Sequence, residues 1–319
     1  VDERFYRLAP GGPGSRVRRA AKLAQHVPDM LRYARRARAA DVVHFQWLTV
    51  QPLDVHLLPR SRPLVLTAHD VLPREPRPGQ RDAQRRLYER VEAVVVHSEH
   101  GAGRLREELG IDPARVHVIP HGAFTHLAAM PPADAAAPLP PELAATDAPV
   151  VLCFGLMRPY KGIDVLLEAW AGIADAELWI VGLPKMDIAP LRAAAPPNVR
   201  FVPRFVVDRE VPAFFRRADL VVLPYREIDQ SGVLFTALAF GTPLLLSAVG
   251  GFPEVAASGA AELVPPGDAA ALHTALARLL ADPAARERLG AAARTAAATT
   301  YSWDAIAAQH LALYETLRR

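Results

Sequence analysis

The chain has 319 residues, 51% hydrophobic and 22% charged, with a formal net charge of +3. That length exceeds one ordinary hydrophobic core, so two domains are expected. No stretch of about 18 apolar residues runs without charge, so the expectation is a cytoplasmic protein with neither a membrane-spanning helix nor a secretory signal. The one cysteine, Cys153, lies in an apolar run and reads as a packed thiol, which argues against disulfide, redox or zinc chemistry.

In chain order, the sequence starts without Met on Val1-Asp2-Glu3-Arg4, and Gly11-Gly12-Pro13-Gly14 follows Ala9-Pro10 rather than a strand, a weak phosphate loop. The expectation is that an N-terminal strand–loop–helix segment lies outside this sequence. Basic residues then crowd together: Arg16, Arg18, Arg19, Lys22, Arg32, Arg35, Arg36 and Arg38, opposed only by Asp29. Residues 1–147 carry 21 Lys+Arg against 17 Asp+Glu, and residues 148–319 carry 16 against 17. The stripe reads either as a solvated face in an arginine-rich chain or as an attractor for an anionic membrane, the latter giving peripheral contact at its inner face. No aromatic interleaving or reading motif accompanies it, so no nucleic-acid partner is expected.

Short apolar runs alternate with amphipathic helical stretches from there on, which predicts α/β units with parallel sheets and helices on both faces. Strands are predicted over 41–47, 64–70, 93–98 and 116–120. Each leaves a polar residue at its carboxyl end, where open α/β sheets bind ligands, so His44, Gln46, His69, Asp70, Ser98 and His121 are expected to converge on one crevice. A Pro/Ala-rich stretch over 130–149 reads as a linker between a domain at 1–129 and one at 150–300. In the second domain strands are predicted near 150–154, 178–182, 199–203, 220–224, 243–247 and 262–264. Helices are predicted over 163–173, 210–217, 233–240, 269–280 and 284–298, with Ser302 as the N-cap of a last helix over 301–319.

The stretch Val151-Leu152-Cys153-Phe154-Gly155-Leu156-Met157-Arg158-Pro159-Tyr160-Lys161-Gly162 runs from a buried strand into a glycine turn with two cations. A second half-site follows in Leu223-Pro224-Tyr225 and Gln230-Ser231-Gly232-Val233, where another helix starts. Free N–H groups and the positive end of a helix dipole suit phosphate oxygens, and Arg158 and Lys161 would neutralise the same diphosphate.

These motifs, with Ala239-Phe240-Gly241-Thr242-Pro243 and Gly250-Gly251-Phe252-Pro253-Glu254, resemble the retaining GT-B glycosyltransferases of family 4, group 1 type. The resemblance is densest over 150–260. It implies two Rossmann-like domains facing a central cleft, the first on the acceptor side and the second binding the nucleotide sugar, with the C-terminal helix crossing back. It also implies roles for single residues. Arg158 and Lys161 would bind the diphosphate of a UDP-, GDP- or ADP-sugar. Gly155, Ser231, Gly232 and Val233 would approach its phosphates or sugar. His69 would stand beside the reacting sugar, with His121 and Glu254 near the donor. His44, Gln46 and Ser98 fall on the side of a glycan, lipid-linked or small-molecule acceptor.

The family's two glutamates, seven residues apart, are not reproduced here. Thr236 stands at the second position, where it can give a ribose only one hydrogen bond. Ile228 stands at the counted first position, and sugar contact is assigned to its neighbour Glu227. Two side-chain cations on the diphosphate and the lack of an Asp-x-Asp pattern imply that no metal or other cofactor is required. The implied activity is retaining transfer of a hexose to an acceptor hydroxyl. A weakly catalytic nucleotide-sugar-binding or partner subunit and a GT-B nucleotide-sugar epimerase stand as alternatives.

Overall fold

The computed structural model describes residues 5–8, 10, 15–48, 50–72, 78–131, 139–140, 143 and 146–318. Residues 11–14 and much of 130–149, read above as a weak phosphate loop and a linker, lie outside the described residues. The chain divides into two compact units. One comprises Val1–His97, Gly101–Ile119 and Gln309–Arg319, and the other Ser98–His100 and Pro120–Ala308.

The first unit holds α1 (Arg16–Arg36), β1 (Val43–Phe45), α2 (Gln51–Leu57), β2 (Leu64–Thr67), α3 (Gln80–Arg90), β3 (Ala93–Val96), α4 (Glu99–Leu109) from Gly101 onward and β4 (Val116–Val118). The strands pair in parallel in the order β1-β2-β3-β4, with Val43 beside Leu64, Val65 beside Ala93 and Val94 beside Val116. Every residue of β2 and β3 is buried, which explains why these runs read as continuously apolar rather than alternating. Ser15 caps α1 by accepting from the Arg18 N–H. On the inner face of α1, His26 Nε2 meets Asp54 Oδ1 at 2.5 Å and His26 Nδ1 meets the Tyr6 hydroxyl at 2.7 Å, so this buried polar group is satisfied from both sides.

The second unit holds α5 (Thr125–Ala128), β5 (Val150–Phe154), α6 (Ile163–Trp170), β6 (Glu177–Val181), α7 (Ala189–Ala194), β7 (Val199–Val202), α8 (Val211–Arg217), β8 (Leu220–Leu223) and α9 (Gly232–Phe240). It continues through β9 (Leu244–Ser247), α10 (Phe252–Ala256), β10 (Ala261–Val264), α11 (Ala269–Ala281) and α12 (Pro283–Ala298). The last helix, α13 (Trp303–Leu317), starts in this unit, and its residues from Gln309 onward belong to the first. Ser302 Oγ accepts from the Ala305 N–H at 3.2 Å, the N-cap expected from the sequence. Six parallel strands run in the order β10-β9-β8-β5-β6-β7. Successive residues of β5 serve opposite faces: Val150 and Leu152 join the core under α9 and α12, whereas Val151 and Cys153 join the core under α6 and α11. Burial pushes the Cys153 thiol up to about 11, against a smaller opposing effect of Lys161, so the sulfur is an inert packing group.

All ten predicted strands occur. Most are a residue or more shorter than expected: polar residues leave the ladder at the ends of β1, β2 and β3, and prolines, which have no N–H to donate, stand at the ends of β4, β7, β8 and β9. The strand order in the second sheet positions the site. The chain moves outward from β5 through β6 to β7, then returns to the other side of β5 with β8 and moves outward again. β5 and β8 are therefore neighbours, with Val151 beside Leu220 and Leu152 beside Val221. The gap beyond their carboxyl ends is the topological switch point, where open α/β sheets bind ligands.

Candidate functional site

The loops leaving β5 and β8 carry the two half-sites read from the sequence, and the fold places them side by side. After β5, Gly155 adopts φ +108°, and a Cβ built there would lie 3.1 Å from Val233 Cγ2 and 3.6 Å from Lys161 Nζ. Glycine at 155 lets the first loop touch both the second half-site and the lysine. Pro159–Lys161 forms one 3₁₀ turn, closed by Gly162 at φ +66° before α6 begins. A Cβ on Gly162 would lie 2.0 Å from the Pro224 carbonyl oxygen, so the β5 loop can rest on the β8 loop only with glycine there.

Lys161 is buried, and its ammonium lies 4.0 Å from the centroid of the Tyr225 ring and donates to the Tyr225 hydroxyl. That hydroxyl lies 3.4 Å from Ser231 Oγ, the residue before α9. A chain of polar contacts thus links the cation of one half-site to the helix start of the other. Arg226 clamps the same two loops. Its guanidinium binds both oxygens of Asp164 at 2.8 and 2.6 Å and the Pro159 carbonyl at 3.1 Å, while its N–H donates to the Tyr160 carbonyl at 2.8 Å. The Arg226 guanidinium, chiefly through these hydrogen bonds, holds the Asp164 carboxyl below its ordinary range.

At α9, the Ser231 N–H donates to Gln230 Oε1 at 3.2 Å and the Leu234 N–H to the Ser231 carbonyl at 3.1 Å. Among the described residues no acceptor faces the N–H groups of Gly232 or Val233. Arg158 is half-buried, and its guanidinium meets no carboxylate among the described residues. One guanidinium, one ammonium and two amide N–H groups therefore sit on the loops at one switch point, a donor set suited to an anion rich in oxygen.

The remaining predicted residues fall elsewhere. Thr236, one turn into α9, donates its hydroxyl proton to the Gly232 carbonyl at 2.9 Å and retains only acceptor capacity for a ligand. Glu227 is exposed beside the buried Ile228 and Asp229. Both oxygens of Glu254 accept backbone N–H groups, of Glu99 at 3.0 Å and His100 at 3.1 Å. His121 Nδ1 donates to the Gly122 carbonyl at 2.7 Å, and its ring stacks on Phe235 and meets Phe124 and Trp303 edge-on. Burial lowers the His121 pKa against the opposing Gly122 hydrogen bond.

Of the six strand-end residues expected to share a crevice, His44, Gln46, His69 and Asp70 belong to the first unit, and Ser98 and His121 to the second. Three of the first group are joined directly. His44 Nε2 meets Thr67 Oγ1 at 2.7 Å and Gln46 Nε2 at 3.3 Å, and Gln46 Oε1 meets His69 Nε2 at 3.2 Å. Burial, then the nearby His310 and His69, lower the His44 pKa to about 4, so it is neutral at pH 7. The Trp47 ring, 65% exposed, stacks on His69 with centroids 4.6 Å apart. A packing role is the ordinary expectation for such a tryptophan, but its position covers the histidine instead of a core.

Sequence reasoning placed Tyr225 and Gln230 in the second half-site without giving either a role, and it passed over Arg226 and His97. Arg226 follows closely on the β8 run and carried a weak signal as a polar residue at a strand end. Nothing local marked His97.

Two parallel-sheet α/β units are the architecture of the GT-B glycosyltransferases. The crystal structure of HepE from Anabaena in complex with UDP shows the same fold, with a TM-score of 0.74 and 20% identity, over 92% of this chain and 83% of HepE. The chain belongs to the family 4, group 1 glycosyltransferases: the family model for glycosyl transferases group 1 matches residues 148–282, and that for glycosyltransferase family 4 matches residues 2–126. The D-inositol 3-phosphate glycosyltransferase of Xylanimonas cellulosilytica is 31% identical over 303 residues, 86% of this chain and 71% of that protein. A GDP-mannose-dependent alpha-(1-6)-phosphatidylinositol monomannoside mannosyltransferase of Mycolicibacterium smegmatis is 30% identical over 242 residues, 71% of this chain and 63% of that one. The chain spans 56%, 44% and 63% of the lengths of three further curated mannosyltransferase relatives.

Proposed function

We propose that this chain transfers a hexose from a nucleoside-diphosphate sugar to an acceptor hydroxyl with retention of anomeric configuration. The observation that carries this reading is the coupling of the β5 and β8 loops at the switch point, through Lys161, Tyr225 and Ser231. In the reaction the bond between the anomeric carbon and the distal phosphate oxygen breaks and a bond to the acceptor oxygen forms on the same face. The acceptor proton passes to the departing phosphate. Arg158, Lys161 and the Gly232 and Val233 amides meet the charge that grows on the leaving group, a preorganised electrostatic contribution that needs no metal or other cofactor in this reading. Glu227 is assigned to the sugar, His121 and Glu254 to the donor side, and His44, Gln46, His69 and Ser98 to acceptor and sugar hydroxyls.

The nucleotide is a UDP, GDP or ADP, in keeping with the UDP held by HepE and the GDP-mannose dependence named for the mycobacterial relative. The named acceptors of the relatives, an inositol phosphate and a phosphatidylinositol mannoside, support a polyhydroxylated acceptor, free or lipid-linked. The test is a panel of UDP-, GDP- and ADP-hexoses with inositol phosphates and phosphatidylinositol mannosides as acceptors, the anomer of any product being read by NMR. An α-linked product from an α-linked donor is expected, and inversion overturns the retaining assignment. A second reading, binding without transfer, is favoured by Thr236, whose hydroxyl proton is already committed. In that case the panel yields nucleotide affinity and no product.

We further propose that the chain contacts the inner face of an anionic membrane through α1. Val17, Ala20, Ala24, Val27 and Leu31 recur at helical spacing along one side of α1, with Leu23 adjoining, and all are exposed. Val17 is 65%, Leu23 53% and Leu31 49% accessible. The exposed Arg16 borders this apolar stripe, Arg35 lies in line with it and Arg19 is exposed near the helix start, and none of the three meets a carboxylate among the described residues. The opposite side buries His26, Asp29 and Met30, so the helix is fixed to its unit with its apolar stripe outward. A second copy of the chain would set arginines against arginines, whereas anionic headgroups complement them. Binding to phosphatidylglycerol vesicles that declines with salt is expected. The triple substitution Arg16→Gln, Arg19→Gln, Arg35→Gln should weaken it by about 3 kcal/mol, at about 1 per charge. Equal binding to neutral and anionic vesicles overturns the assignment.

A further inference from the structure

The carboxyl edge of the first sheet carries a line of hydrogen bonds in which one member, His97, has no assigned role. It lies just past β3, and its Nδ1 is 3.0 Å from the Ile119 carbonyl oxygen. Its Nε2 is 3.1 Å from His69 Nδ1. His69 Nε2 in turn faces the Gln46 amide, which continues the line to His44 and Thr67.

We propose that His97 is a positioning residue that decides which nitrogen of His69 carries the proton. A carbonyl oxygen only accepts, so His97 Nδ1 holds a hydrogen, and in neutral His97 the Nε2 is a lone pair. His69 must then donate from Nδ1, which leaves its Nε2 as the basic nitrogen of the neutral ring. The Gln46 oxygen stands on Nε2, the arrangement that suits the protonated ring; with the amide turned over, Nε2 of the neutral ring accepts from the Gln46 NH₂, and it can equally accept from a substrate hydroxyl. When His69 takes up a proton there, Nε2–H donates to the Gln46 oxygen and the Trp47 ring stacks on the cation, a favourable cation–π arrangement. The other titratable groups around this line are His44 on β1, His310 and Tyr314 on α13, and Asp70 next to His69 in the chain. The consequence for turnover rests on reading this edge as handling sugar and acceptor hydroxyls. The assignment of the proton does not.

The experiment uses the full chain with ring-¹⁵N histidine and long-range ¹⁵N–¹H spectra across pH, His69 being assigned by loss of its signals in His69→Gln. The wild-type chain is expected to show neutral His69 protonated at Nδ1. His97→Gln, which keeps an acceptor oxygen near the position of Nε2, should retain that pattern. His97→Leu should move the proton to Nε2 and shift the His69 titration midpoint by about half a pH unit or more. A wild-type His69 protonated at Nε2, or an unchanged pattern and midpoint in His97→Leu, overturns the inference. The wild-type spectrum decides the first point even if neither variant folds. Absence of sugar transfer, by contrast, counts only against the proposed activity.

Discussion

Lys161→Ala is expected to weaken nucleoside-diphosphate binding by about 10- to 150-fold, the loss of about 1.5 to 3 kcal/mol that follows removal of one charge-assisted contact. The ammonium is buried, held under the Tyr225 ring and aligned by the Tyr225 hydroxyl, so its position is set before a ligand arrives. A preset cation loses little side-chain freedom on binding, which places the expected value toward the upper end of that range. Arg158→Ala should act on the same anion with a smaller effect, because that side chain is only half-buried and better screened. The two changes share a ligand group, so the double variant should show a combined loss different from the sum. Calorimetric titration with UDP, GDP and ADP reads all of this. If one of these nucleotides binds the wild-type chain and its affinity survives Lys161→Ala within twofold, the diphosphate assignment is lost. If none binds either form, the donor class itself is wrong.

Gly162→Ala is expected to be strongly damaging to the site. A Cβ at this position meets the Pro224 carbonyl oxygen at 2.0 Å, and φ is +66°. The left-handed conformation alone costs an alanine about 1 to 2 kcal/mol. The clash forces the β5 and β8 loops apart, and strain against backbone adds to that, for a total of about 3 kcal/mol or more. In a domain of this size that corresponds to a fall in Tm of about 6 to 12 °C. Gly110 supplies the control, with φ +65° and no atom within 4 Å of an added Cβ. Gly110→Ala should show the conformational cost without the clash. Calorimetric melting that gives the same Tm for the two variants would mean that the loops tolerate separation. In that event their contact cannot be what holds the Lys161 cation in place.

The fold was largely readable from local pattern. Val150–Phe154 and Leu220–Leu223 are apolar runs of strand length bounded by turn residues, and such runs have few alternatives. Arg158, Lys161 and the Ser231-Gly232-Val233 helix start were equally visible, since cations after a glycine turn and an open helix start announce themselves within a dozen residues. The role of Tyr225 was harder to find, because it depends on Lys161, 64 residues earlier in the chain. Gln230 reads as an ordinary loop glutamine until its side chain is seen on the Ser231 N–H. Glu227 and Thr236 were placed by counting along a motif that this chain does not keep, and counting alone gives no side-chain environment.

By itself the sequence determined the ten strands, six helices of the second half, the family and the identity of the charged groups, because each follows from patterns a few residues long. Only the tertiary structure decided that β8 returns beside β5, and with it that the two half-sites share one switch point. Strand order depends on contacts between segments distant in the chain, whose free energy no local window records. The same reason hid His97: its meaning lies in Ile119 on one side and His69 on the other, and only the paired sheet brings the three together.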